Sequence, residues 1–248
     1  MITPKSFTKG KLLDFLTGLD SKGSDYLTVY LTPTSFTHQM DEFGIETGLV
    51  REVTDFLNDE AVTKEKERYQ TGAVLFWSRS DARYLVIPPF PINRSGVFKD
   101  RPNTESLRQL LEKERALGAI LLTWGWYAIG VFKNDKLIDS KIGTGHIHHK
   151  HRKGGSSQKR FARRTEEQKK DFLRRVSGHI EEKLQHHELE QIFFGGNRLI
   201  LKPLCDECHN LSLSQISPRL LNVRYADREA LLGSLDEINK SIVLEIAP

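Results

Sequence analysis

The sequence predicts an α/β protein in which a mixed sheet is flanked by helices and a smaller α+β unit precedes it. Three observations predict this. Short apolar runs alternate with segments of helical spacing in both halves of the chain. A proline-rich stretch, PPFPINRSGVFKDRPN at 88–103, interrupts that alternation and reads as a connector. Beyond it the order is helix, three strands, helix, strand, helix, strand, helix, a succession that layers helices on a sheet. The expected division is residues 1–95 and residues 96–248.

In the first part, Lys11 to Leu19 reads as a short helix and YLTVYLT at 26–32 as a strand. Ile45, Leu49, Val50, Val53 and Phe56 lie at helical spacing within 42–66. Residues 73–77 and 84–87 read as paired strands around the polar turn SRSDAR. In the second part, 105–117 is expected as helix and 119–123 and 126–132 as strands. Asn134-Asp135 suits a hairpin turn into a third strand at 137–142. Residues 191–194 form a buried strand that ends at Gly195-Gly196. A helix over 197–208 is expected to break at Pro203, and residues 220–225 to form another strand. Asp227 caps a last helix that ends near Lys240.

Composition narrows the class. The chain has 248 residues and 38% hydrophobic content, enough for one large domain or two small ones. No apolar run approaches a membrane span, and MITPKSFTKGKLL lacks the apolar centre of a signal peptide. Two cysteines make no disulfide framework, and a reducing cytoplasm is expected. No membrane partner, cofactor or metal is expected.

Charge is concentrated in one place. From His148 to Arg175 there are eleven Lys/Arg against three Asp/Glu, a local net of +8 in a chain whose total is +4. Such a cationic finger suits a phosphate backbone. At its tip Gly154 and Gly155 admit close approach of the backbone to a ligand. Ser156 and Ser157 suit the start of a helix, expected from about Gln158 to Gln185. Phe172, Leu173, Val176, Ile180 and Leu184 make its apolar stripe, whereas Lys159 to Lys170 offers only Phe161. The helix is therefore expected to anchor by its second half and project its basic first half. Gln158, neutral and polar, stands at the root of the tip among cations. Lys150, Arg152, Lys153, Lys159, Arg160, Arg163 and Arg164 are the candidate RNA contacts.

Two other groupings suggest metals and are read otherwise. Cys205 and Cys208 with His209 form C-x-x-C-H, but with no second cysteine pair they read as ordinary, partly buried thiols. His146, His148, His149 and His151 alternate with Lys150, Arg152 and Lys153, whose charge opposes a bound cation, so RNA contact fits better. Gly195-Gly196 reads as a tight turn from strand to helix, since no nucleotide fingerprint surrounds it.

GGSSQKRFARRTEEQ resembles the Gly-Gly-Gln loop and the Arg-Phe-Ala-Arg helix of eukaryotic and archaeal class I peptide-chain release factors. It is closer still to the release-factor-like peptidyl-tRNA hydrolases of ribosome quality control, the ankyrin-repeat/zinc-finger peptidyl-tRNA hydrolase family. Arg160, Phe161, Ala162 and Arg163 match the helix start. Counted back from Phe161, the termination-factor Gln column falls on Ser156, and the Gln here lies two residues later. The quality-control relatives share such a longer loop. The resemblance implies a ribonuclease-H-like catalytic domain over 96–248 and an N-terminal ribosome-docking domain over 1–95. It implies Gln158, Gly154, Gly155, Ser156 and Ser157 as the catalytic loop. The implied partners are the large ribosomal subunit, its RNA and peptidyl-tRNA, approached by a monomer. The first unit has no Asn-Ile-Lys-Ser codon-reading motif, so action independent of a stop codon is expected. Three activities stay open: hydrolysis of the peptidyl-tRNA ester, endonucleolytic cleavage near the tRNA 3′ CCA end, and RNA or ribosome binding without catalysis.

Overall fold

The computed structural model describes residues 3–23, 25–35, 47–147, 156–209, 211 and 215–246. Two compact units divide the chain: Met1–Lys113 with Asn239–Pro248, and Glu114–Ile238. The boundary expected near residue 95 thus lies eighteen residues later, and the last strand returns to the first unit. Hydrogen bonding explains both differences. Part of the proline-rich stretch, Gly96–Phe98, is strand β5 and pairs with β2. The C-terminal segment Ser241–Ile246, which carries no turn signal to announce it, is strand β10 and lies between β1 and β4.

The first unit is built on a six-stranded sheet in the order β1-β10-β4-β3-β2-β5. Its strands are β1 (Pro4–Phe7), β2 (Tyr26–Leu31), β3 (Ala73–Ser78), β4 (Arg83–Ile87), β5 and β10. Every pairing is antiparallel. Helix α1 (Lys9–Asp20) opens on Thr8, whose side chain accepts from the Lys11 amide. The helical pattern expected over 42–66 resolves into α2 (Thr47–Leu57) and α3 (Glu60–Tyr69), and residues 42–46 lie outside the described ones. The break is chemical: the Asp59 carboxylate accepts from the Ala61 amide at 2.9 Å and starts a new helix. Helix α4 (Glu105–Glu112) ends before the expected Leu117, because Ala116 already begins a strand of the second unit.

In the second unit β6 (Ala116–Thr123), β7 (Trp126–Lys133), β8 (Lys136–Thr144) and β9 (Gln191–Gly196) form a sheet ordered β8-β7-β6-β9. β6 pairs antiparallel with β7 and parallel with β9, so the sheet is mixed as the sequence predicts. Asn134 and Asp135 both take left-handed φ, +51° and +61°, as a two-residue hairpin requires. Helix α5 (Ser156–Leu184) crosses one face. Its Phe172, Leu173, Val176, Ile180 and Leu184 join one core with Ile120, Leu122, Tyr127, Ile129, Val131, Ile192 and Phe194. Burial of each large side chain contributes about 1.5–3 kcal/mol, which is why the second half of the helix is the fixed half. Leu231 of α7 (Arg228–Ile238) meets Gly130 on β7. The Asp227 side chain accepts from the Ala230 amide at 2.8 Å, the expected cap.

Two further expectations need correction. Pro203 does not break a helix. It sits in the first turn of α6 (Leu201–Glu207), where its missing N–H has no intrahelical role, after a 3-10 turn at Arg198–Ile200. Residues 220–225 are not a strand: Leu221 makes only an isolated parallel bridge to Gly195. Among the described residues no helix is long and apolar enough to cross a membrane.

One glycine fixes how α5 seats. A Cβ on Gly145 would overlap the Phe172 ring. Gly145→Ala is expected to destabilise by about 1–3 kcal/mol, as overpacking does, read as a lowered urea midpoint. Gly178, inside α5 with nothing within 4 Å, gives the opposite sign: Gly178→Ala is expected to stabilise by roughly 0.5–1 kcal/mol.

Candidate functional site

The site is the first half of α5 and the sheet end from which it departs. Gly145, just after β8, donates from its amide to the Gly125 carbonyl at 2.8 Å and rests against Phe172. Phe172 packs edge-on to Tyr127 (centroids 6.0 Å apart) and at a tilt to Trp124 (6.3 Å). Lys169 lies over the Trp124 ring at 5.1 Å. Burial pushes the Tyr127 phenol above its usual pKa, so the ring remains neutral beneath the helix, stacked on His179. From Phe172 onward α5 is held by the core; from Arg160 to Arg164 it is not.

Residues Arg160 to Arg164 are all exposed, Phe161 to 59%. Thr165 is buried, and its hydroxyl donates to the Phe161 carbonyl at 3.0 Å. From Ser156 to Lys169 the helix extends roughly 20 Å at its standard rise. Each of the segment's three acids has a cation within one turn: Glu167 pairs with Arg163 (3.0 Å), Glu166 with Lys169 (2.8 Å) and Asp171 with Arg174 (3.1 Å). Arg160 and Arg164 have no ion pair among the described residues. The first turn of α5 holds no acid. A helix N-terminus carries about half a positive charge and leaves its first amides without intrahelical partners. Cations near that end add to the same field, a choice unfavourable to helix stability and favourable to an anion.

The predicted site residues fall into three groups. Lys150, Arg152, Lys153, Gly154 and Gly155 lie outside the described residues, as do His148, His149 and His151. Ser156, Ser157, Gln158 and Lys159 occupy the first turn of α5 by their backbone, so the helix starts two residues before the expected Gln158. Arg160, Arg163 and Arg164 lie on its exposed first half. Sequence reasoning missed Gly145 and Phe172 as the pair that sets the helix root. The signal was present: a glycine pair, Gly143 and Gly145, ends an otherwise β-prone run.

The other groupings resolve as packing. A Cβ on Gly195 would lie 2.7 Å from Leu121 and Val223, and Gly196 has φ +100°, the tight turn expected there. Cys208 is buried and Cys205 half-buried, and burial raises the Cys205 thiol pKa, which suppresses reactivity. Among the described residues no three His, Cys, Asp or Glu side chains group to hold a metal.

Curated relatives include peptide chain release factor subunit 1 of Thermococcus sibiricus, 29% identical over 140 residues, which are 51% of this chain and 34% of that protein. Another is eukaryotic peptide chain release factor subunit 1 of Trypanosoma brucei brucei, 23% identical over 188 residues, 67% of this chain and 42% of that one. The chain thus spans well under half the length of either. Among solved structures, an archaeal translation termination factor aligns over 94% of this chain and 73% of its own, with 17% identity and a TM-score of 0.35. A family model described as the Actinobacteria/chloroflexi VLRF1 release factor matches residues 115–241. That stretch is the second unit with its sheet, its rooted helix and its basic projection, and by it the chain belongs to the VLRF1 release factor family.

Proposed function

We propose that the protein releases nascent peptide from peptidyl-tRNA on stalled large ribosomal subunits, independently of a stop codon, by hydrolysing the ester to the tRNA. The observation that supports it most is a helix rooted in the core by its second half, exposed from Arg160 to Arg164, whose dipole-positive first turn carries Gln158. On this reading its role within the release-factor family is nearest to that of the peptidyl-tRNA hydrolases of ribosome quality control.

A water oxygen attacks the ester carbonyl carbon, and the carbonyl oxygen takes negative charge. Collapse breaks the bond to the ribose oxygen, which leaves with a proton from the water. Gly154 and Gly155 allow the loop into a narrow RNA-walled centre. A first-turn amide near Gln158 donates to the developing oxyanion, and the Gln158 amide group orients the water. Ser156 and Ser157 complete the loop. Lys150, Arg152, Lys153, Lys159, Arg160, Arg163 and Arg164 hold the RNA backbone. The first unit docks on the ribosome, and the protein acts as a cytoplasmic monomer.

The test uses purified protein with stalled large subunits carrying peptide-labelled tRNA, and it maps the 3′ end of the tRNA after release. An intact CCA end is expected. A shortened end would make this a tRNA endonuclease, with the ribose 2′-hydroxyl attacking the adjacent phosphate. Tight binding with no release would leave a non-catalytic RNA binder.

A further inference from the structure

The sheet end at the root of the finger has RNA-binding chemistry of its own, on residues that the release reading does not use. All four strands of the second sheet, and the segment beside β9, present a chain reversal or exit at one end. Hydrogen bonds fix their adjacency. The Asn197 amide donates to the Leu122 carbonyl at 3.0 Å, the Gly145 amide to Gly125 at 2.8 Å and the Leu221 amide to Phe194 at 2.9 Å. Thr144 is paired with Trp126, Leu122 with Gly196, and Gly195 bridges Leu221. Across four strand spacings of roughly 4.8 Å, this end therefore displays residues 123–126, 144–147, 196–199 and 223–225.

Those four segments read TWGW, TGHI, GNRL and VRY. They contain no acid. Their exposed side chains alternate large apolar and basic: Trp126 is 52% exposed, Leu199 84% and Tyr225 57%, with His146, Arg198 and Arg224 exposed between them. Arg224 already lies over the Tyr225 ring at 5.4 Å. Large apolar side chains at such exposure offer nothing to the fold. Rings interleaved with arginines on a surface without carboxylates match a strand whose phosphates meet cations while its bases stack. Arginines and a histidine with no carboxylate to offset them favour a polyanionic strand over a protein surface of mixed charge.

We infer that this sheet end binds unpaired RNA nucleotides, stacking bases on Trp126 and Tyr225 and pairing phosphates with Arg198 and Arg224. The inference concerns binding and stands apart from whether peptide is released.

The full chain is tested by fluorescence anisotropy with two labelled RNA hairpins of equal phosphate number, one ending in four unpaired 3′ nucleotides and one blunt. The tailed hairpin is expected to bind at least tenfold tighter. Trp126→Ala with Tyr225→Ala is expected to abolish that preference and leave blunt-hairpin affinity unchanged, whereas Trp126→Phe with Tyr225→Phe keeps most of it. Arg198→Gln with Arg224→Gln is expected to weaken both and to lower the slope of log affinity against log salt by about 1.4. If the alanine pair fails to fold, Tyr225→Ala alone, in an exposed loop, is expected to cost severalfold on the tailed hairpin only. Equal binding of the two hairpins by wild type, or an undiminished preference in the alanine variants, overturns the inference. Peptide release is not read in this assay, so its failure and that of the hydrolase reading are distinguishable.

Discussion

Gln158→Ala is expected to lower single-turnover peptide release about 100- to 1,000-fold while affinity for the large subunit stays within about twofold. The rate figure is that of losing one preorganised polar group at a developing oxyanion or attacking water. Affinity is spared because the binding charge lies elsewhere, in a segment with a net of +8 between His148 and Arg175, and Gln158 carries none of it. The kinetic signature is a fall in the release rate at saturating subunits with the half-saturation point unmoved. Comparable loss through weakened binding would assign Gln158 to docking and remove it from the chemistry. Gln158→Glu sharpens the test. A carboxylate keeps the size but opposes the oxyanion, so it is expected to release no faster than alanine.

Much of the second unit was legible because its signals are local. The Asn134-Asp135 turn, the Asp227 cap and the stripe from Phe172 to Leu184 each sit within a few residues of what they determine. What was not legible is non-local. Nothing in SIVLEI at 241–246 announces that it belongs to the first unit and pairs with β1 and β4, since pairing partners more than 150 residues away leave no periodic trace. The residues 88–103 look like a linker by their prolines, yet three of them complete a sheet edge. Pro203 differs for another reason: its effect depends on whether it falls in the first turn of a helix or later, and the helix starts at Leu201, four residues after the expected Asn197.

The candidate site shows the same split with the opposite sense. Its charge pattern was readable because it breaks a rule: cations crowd the N-terminal half of α5, where the helix dipole disfavours them. A local choice that weakens the element it sits in points to function. The root of that helix was not readable, because Gly145 and Phe172 are 27 residues apart and meet only through the sheet.

Phe172→Ala and Phe161→Ala, two phenylalanines on one helix, are expected to separate stability from function. Phe172 is 2% exposed and touches Trp124, Tyr127 and the Gly145 backbone. Its truncation leaves a cavity at the point where the sheet end, the loop exit and the helix converge, at a cost of about 3–5 kcal/mol. The urea midpoint should fall accordingly, and release should fall with it once the helix root loosens. Phe161, three turns earlier and 59% exposed, touches none of that core. Phe161→Ala is expected to change stability by no more than about 0.5 kcal/mol and to reduce release at unchanged stability, because in the proposed function its exposed ring meets RNA beside Arg160 and Arg164. An unmoved midpoint for Phe172→Ala would mean that α5 is not anchored at the sheet end. A large loss of stability for Phe161→Ala would mean that the first half of the helix is part of the core, and the projecting-finger reading would fall with it.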